Sequence, residues 1–132
     1  MHIGRREFLA GAGAAIPGGR LLEASRAQGS GEMYGLIGKM TTVPGQRDAF
    51  VNILLNGTTE MPGCLSYVVA KDPADENALW ITEVWKDKAS HEASLSLPSV
   101  KAAIASGRPL IAGFGDRIIT TPIGGVGLMR SP

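Results

Sequence analysis

The chain has 132 residues, 44% of them hydrophobic and 19% charged, which is enough for one globular domain and too little for two. A formal net charge of +1 leaves no electrostatic footprint for nucleic acid, and the 18 glycines follow no period, so collagen-like and low-complexity readings fail. One cysteine, Cys64, and two histidines exclude an intrachain disulfide and the usual zinc, haem-attachment and iron–sulfur spacings; no metal site is expected.

Arg5-Arg6-Glu7-Phe8-Leu9, followed by the Gly/Ala-rich run Ala10 to Ile16, has the order of a twin-arginine (Tat) export signal. The apolar run is too short to span a bilayer, and Ser25-Arg26-Ala27 offers small residues for cleavage after Ala27. The expectation is a signal peptide over 1–27, a flexible leader over 28–32, and a periplasmic or secreted product with no membrane attachment after cleavage. Residues 1–27 carry Arg5, Arg6, Arg20 and Arg26 against Glu7 and Glu23, so their loss lowers the formal charge by two, to −1. A near-neutral domain suits an uncharged or weakly charged small molecule better than a polyanion.

Met33 to Thr42 reads as a strand, and Val43-Pro44-Gly45 as the turn into a helix from Gln46 with Phe50, Ile53 and Leu54 on one face. Met61-Pro62-Gly63 stops that helix. Gly63–Lys71 and Ala78–Lys86 are two strands joined by the polar turn Asp72 to Asn77, a β-hairpin. Asp87 is an N-cap for a helix from Lys88 to about Leu95, and Pro98 restarts a helical run to Ser106 with Val100, Ala103 and Ile104 inward. Arg108 to Ile111 reads as a connection. The last strand is expected over Arg117–Thr121, with a flexible tail over 124–132. Gly113-x-Gly115 and Gly124-Gly125-x-Gly127 are not phosphate loops, because no suitable helix follows either.

The order β-α-β-β-α-β over 33–123 predicts an α+β, ferredoxin-like split βαβ fold, an antiparallel sheet of four strands with its helices on one face. Alternation puts Leu79, Ile81, Glu83 and Trp85 on one side of the third strand and Trp80, Thr82 and Val84 on the other. Both sides carry large residues, so a second copy is expected over the side the helices leave open, giving a homodimer.

Met33-Tyr34-Gly35-Leu36-Ile37-Gly38-Lys39, Pro44-Gly45-Gln46-Arg47-Asp48, Met61-Pro62-Gly63-Cys64-Leu65-Ser66-Tyr67 and Ile81-Thr82-Glu83-Val84-Trp85 together resemble the antibiotic biosynthesis monooxygenase family, of the quinol monooxygenase kind. The resemblance spans about residues 33–123. It implies a dimeric α+β barrel that oxygenates electron-rich aromatics, a quinol or a polycyclic phenol, with dioxygen and without metal or flavin. Many family members carry histidines on the second helix at positions that correspond here to Ser94 and Ser99. Of the helix's histidines only His91 is present.

Such chemistry needs a dry aromatic pocket, a proton acceptor, and donors for the developing oxyanion. His91 belongs to the one side-chain type that changes charge near neutrality, and Glu83 is a second candidate base if buried. Trp80, Trp85, Tyr67, Tyr34 and Phe50 are candidate substrate-binding walls, and Asn52 and Arg108 candidate holders of an anionic oxygen. Each also has a plain structural reading, as core, interface, cap or surface residue. Two alternatives stay open: a dimeric module that binds a small apolar ligand without turnover, and, as in structurally similar families, a haem-degrading oxygenase with His91 as axial ligand.

Overall fold

The computed structural model describes residues 31–128; the expected signal peptide, the first three residues of the leader and the last four of the tail lie outside them. Within these described residues, four strands and three helices follow in the order β1 (Tyr34–Thr42), α1 (Arg47–Gly57), β2 (Cys64–Lys71), β3 (Ala78–Trp85), α2 (Lys88–Ser94), α3 (Pro98–Gly107) and β4 (Ile111–Thr120), with a 3₁₀ turn at Arg108–Leu110 before β4. The strands form one antiparallel sheet in the order β2-β3-β1-β4, the ferredoxin-like α+β arrangement.

Register divides the side chains between the two faces. Leu36 pairs with Glu83, Gly38 with Ile81 and Met40 with Leu79, which puts these six on one face. That face is the core: Phe50 from α1 closes on Leu79 and Ile81, with Leu54, Tyr67 and Val69 packed against them. Phe50 is only 2% exposed. Its ring lies where a Cβ on Gly107 would sit, 2.6 Å from the ring edge, so α3 can approach only because that residue lacks a side chain. Val100, Ala103 and Gly107 are the buried stripe of α3, at i, i+3 and i+7. Ile104, expected inward, is 41% exposed, because it stands beside that stripe rather than on it.

The polar turn between β2 and β3 is tied back to α1. Arg47 Nη1 donates to the carbonyls of Asp75 (2.9 Å) and Ala78 (3.1 Å), and Asn77 Oδ1 accepts from Gly45 N (3.1 Å). Gly45 takes φ of +82°, a left-handed value that glycine adopts at little cost. Asp87 Oδ1 accepts from Ser90 N (2.8 Å) and so caps α2 as expected, while Pro98 opens α3.

β4 is the largest departure from expectation. It begins at Ile111, the last residue read as connection, and runs ten residues to Thr120, starting six residues ahead of the expected Arg117. Gly113 and Gly115 hide it from propensity reasoning. A register shift between Gly38 and Met40 puts an extra residue into β4 there, a bulge. Beyond Thr120 the described tail has no strand or helix.

A candidate active site between the sheet and the second helix

On the helix side of the sheet, where β1, β3 and β4 meet α2, lies a cavity of about 250 Å³. Leu36, Met40 and Ile81 give it apolar walls, and Phe114 stands at its β4 side, 72% exposed. Glu83 and His91 enter from β3 and α2, and Arg117 from β4. An apolar hollow with a few convergent polar groups is the usual form of a small-molecule site.

His91 is set by aromatic neighbours. Its ring centroid is 5.4 Å from that of Tyr34, tilted by 39°, and 5.5 Å from that of Trp85, edge-on at 73°. The Asp87 cap fixes the first turn of α2, and the Ser94 hydroxyl donates to the His91 carbonyl (2.6 Å) one turn later. His91 Nδ1 is buried and has no hydrogen-bond partner. A buried nitrogen in that state costs stability unless a ligand or solvent atom engages it.

Glu83 is held from beneath. Trp85 Nε1 donates to Glu83 Oε1 (2.8 Å), and Trp85 itself is 1% exposed. Two residues apart on one strand, the two side chains share a face, so the indole steers the carboxylate. Tyr67 pairs with Glu83 across β2 and β3. Burial pushes the Tyr67 phenol well above its ordinary value, and the charge of Glu83 and then the Cys64 thiol push it further. The Cys64 thiol is itself raised, by burial first and by Glu83 as well, against the lowering effect of its contact with Ser66.

Of the residues singled out from sequence, Glu83 and His91 line the cavity, and Tyr34 and Trp85 pack on His91. Tyr67 lies beside Glu83, packed on the core. The rest fall elsewhere. Phe50 is core. Trp80 pairs with Lys39 and Ala70 on the opposite face, where its Nε1 donates to Asp72 (3.0 Å) and Lys39 sits 5.7 Å over its ring. Asn52 is exposed on α1 and Arg108 is exposed in the 3₁₀ turn, so neither reaches the cavity. Ser94 is buried and engaged with its own helix, and Ser99 is exposed on α3.

Of β1 the sequence reading singled out Tyr34, which packs on His91, but it missed the residues of β1 and β4 that line the cavity. The alternation Leu36-Gly38-Met40, in phase with Ile81 and Glu83, was a usable signal for β1. For Phe114 no such signal exists, because the expected last strand begins only at Arg117; Arg117 opens that strand, and its pairing with Gly38 is what brings it to the cavity.

The profile of the antibiotic biosynthesis monooxygenase family matches residues 33–106. Among solved structures, a Chloroflexus aurantiacus protein described as a candidate antibiotic biosynthesis monooxygenase is 63% identical, covers 74% of this chain and 99% of its own, and superposes with a TM-score of 0.72. A Caulobacter crescentus protein of the same description is 21% identical over 68% of this chain and 87% of its own, with a TM-score of 0.59. SnoaB from Streptomyces nogalater, described as a cofactor-independent oxygenase and solved as a single-site mutant, is 14% identical over 71% of this chain and 96% of its own, also at 0.59. No curated protein matches the chain.

Proposed function

The chain belongs to the antibiotic biosynthesis monooxygenase family, and from that premise we propose that it is a cofactor-independent monooxygenase that oxidises a quinol or related electron-rich phenol with dioxygen in the cavity beside His91. The observation that carries this reading is the pairing of an apolar hollow with two proton acceptors on one side, Glu83 and His91, and a guanidinium on the other, Arg117. The fold is also that of SnoaB, a cofactor-independent oxygenase.

The chemistry follows from what those groups do. A phenol becomes a good electron donor to dioxygen once its proton is removed, and an acceptor within reach of the hydroxyl performs that step. His91, which lines the cavity, would take or share that proton. Arg117 offers positive charge to the oxygen anion that develops. The balanced reaction is quinol plus dioxygen giving hydroxyquinone plus water. One oxygen atom enters the ring and the other leaves as water. At about 250 Å³ the cavity lies just below the usual range of ligand sites, roughly 300–1,000 Å³, which favours one or two rings over a tetracycle.

Oxygen uptake with a reduced quinol, against heat-killed protein, tests the proposal. Uptake should need the folded chain, and His91→Ala should lower kcat/KM by roughly 10²–10⁴-fold. Equal uptake with heat-killed protein removes the oxygenase reading. Ligand binding with no turnover, unchanged by His91→Ala, supports a binding module instead.

A further inference from the structure

β1 is a central strand, with β3 on one side and β4 on the other. Its helix-facing row is Leu36, Gly38, Met40, and the middle position has no side chain. Glycine weakens a central strand, so its presence there calls for a local reason. Two reasons common elsewhere in this chain do not apply. Gly38 is not among the residues at positive φ, so the backbone does not demand glycine. Nor does anything press on it: a Cβ at Gly38 would find only the Asp116 carbonyl oxygen, at 3.9 Å, within contact range. By contrast a Cβ at Gly35 on the same strand would meet Thr120 and Pro122, and one at Gly115 would meet the Lys39 stem at 3.2 Å.

What Gly38 does provide is room. It pairs with Ile81 on β3 and Arg117 on β4, and all three line the cavity. Gly38 is thus the floor of the hollow, and Leu36 and Met40 are its ends. We infer that Gly38 is the specificity-determining residue of this site: its missing side chain sets the depth to which an aromatic ring enters between Glu83, His91 and Arg117, and so sets the ring count of the substrate. The inference rests on the proposed oxygenase reading for its substrate class, but the size limit is a property of the cavity itself.

Gly38→Ala and Gly38→Leu test it, each assayed with a one-ring benzoquinol and a two-ring naphthoquinol. Oxygen uptake is one readout. Quenching of Trp85 fluorescence by the matching benzoquinone and naphthoquinone, in a Trp80→Phe background, is the other. Gly38→Leu should lower kcat/KM and quinone affinity for the two-ring compound about tenfold or more relative to the one-ring compound, and Gly38→Ala should shift both in the same direction by less. Thermal melting confirms that each variant is folded; should Gly38→Leu fail that check, the direction shown by Gly38→Ala decides. An equal effect on both ring sizes, or none, overturns the inference. If the unsubstituted chain quenches without consuming oxygen, the oxygenase reading fails while the ring-size ratio in quenching still decides the role of Gly38. If the unsubstituted chain binds neither quinone, both fail.

Discussion

The hydrogen bond from Trp85 to Glu83 gives the candidate site a part that holds one of its carboxylates in place. The indole N–H engages one carboxylate oxygen at 2.8 Å and, being buried, has little freedom to move away. Trp85→Phe keeps an aromatic ring against His91 but removes the donor, so Glu83 is free to rotate. The expected result is a fall in kcat of roughly tenfold with KM little changed, the pattern of a lost transition-state contact; an equal rise in KM with kcat intact would assign Trp85 to packing alone. Tyr67 makes a separate prediction. Burial, with Glu83 and then Cys64 adding to it, favours the neutral phenol, so the folded chain holds that proton where the unfolded chain has lost it. With the folded value raised, the contribution to stability is complete below the unfolded value of about 10 and declines as pH climbs beyond it. The chain has two tyrosines, so Tyr34→Phe leaves Tyr67 alone to report. Its tyrosinate absorbance should stay absent at about pH 10 and rise only well above it, or together with unfolding. A rise centred on the ordinary value would contradict the burial.

Among the elements, α2 is the one on which the site depends most, and it is only seven residues long. So short a helix has little intrinsic stability, and its cap matters correspondingly more. The Ser90 hydroxyl and backbone N–H, in that order, hold the Asp87 carboxyl below its ordinary range. The folded value is therefore the depressed one: the contribution is full above the unfolded value of about 3.9 and fades as pH falls through the folded value. Asp87→Ala should cost about 1 kcal/mol at neutral pH. Asp87→Asn should retain most of the cap yet lose part of the acid slope below about pH 4, measured by denaturant unfolding across pH. An unchanged slope would mean that the cap does not favour the charged carboxyl in the folded chain over the unfolded one. The helix itself was legible in sequence because its signals are local: Asp87 before it, Pro98 after it. The hairpin of β2 and β3 was legible for the same reason, two β-branched and aromatic runs flanking a polar turn. β4 was legible only at its C-terminal end, from Arg117, because Gly113 and Gly115 carry no strand preference and only pairing with β1 makes the preceding stretch extended. The same locality explains the candidate site. Glu83, Trp85 and His91 fall within nine residues and were found together, whereas Arg117 reaches the cavity only through sheet order. Trp80 was assigned to the pocket by residue type, and strand alternation sends it to the other face.

At the scale of the whole molecule the open face of the sheet poses the remaining physical problem. The helices cover one side, and the other presents Ile37, Val68, Val84 and Ile118, with Val68 51% and Ile118 49% exposed. Ile37 stands opposite Ile118 across β1 and β4, and Val68 opposite Thr82 across β2 and β3, so the apolar residues extend over all four strands. The lysine placed among them does not keep the face wet, because Lys39 lies over Trp80 and pairs with Asp72 at 3.6 Å. Carboxylate, indole and ammonium thus satisfy one another at the surface and leave a face whose charge is already matched. An apolar, charge-matched sheet surface of this kind is suited to its own copy, since a two-fold axis sets like residues against like. Stable pairs of this sort bury roughly 800 Å² per partner, and four strands offer a continuous surface for it. The expected outcome is a dimer at micromolar concentration by sedimentation. A single aspartate introduced at Val68 or Ile118 should convert it to monomer, because the two-fold axis places an unpaired charge on each side of the contact. Neither residue lines the cavity or packs in the core, so the monomeric variant should keep its melting cooperativity and its quinone binding. A chain that sediments as a monomer before substitution, with no dependence on concentration, would show that this face stays in water.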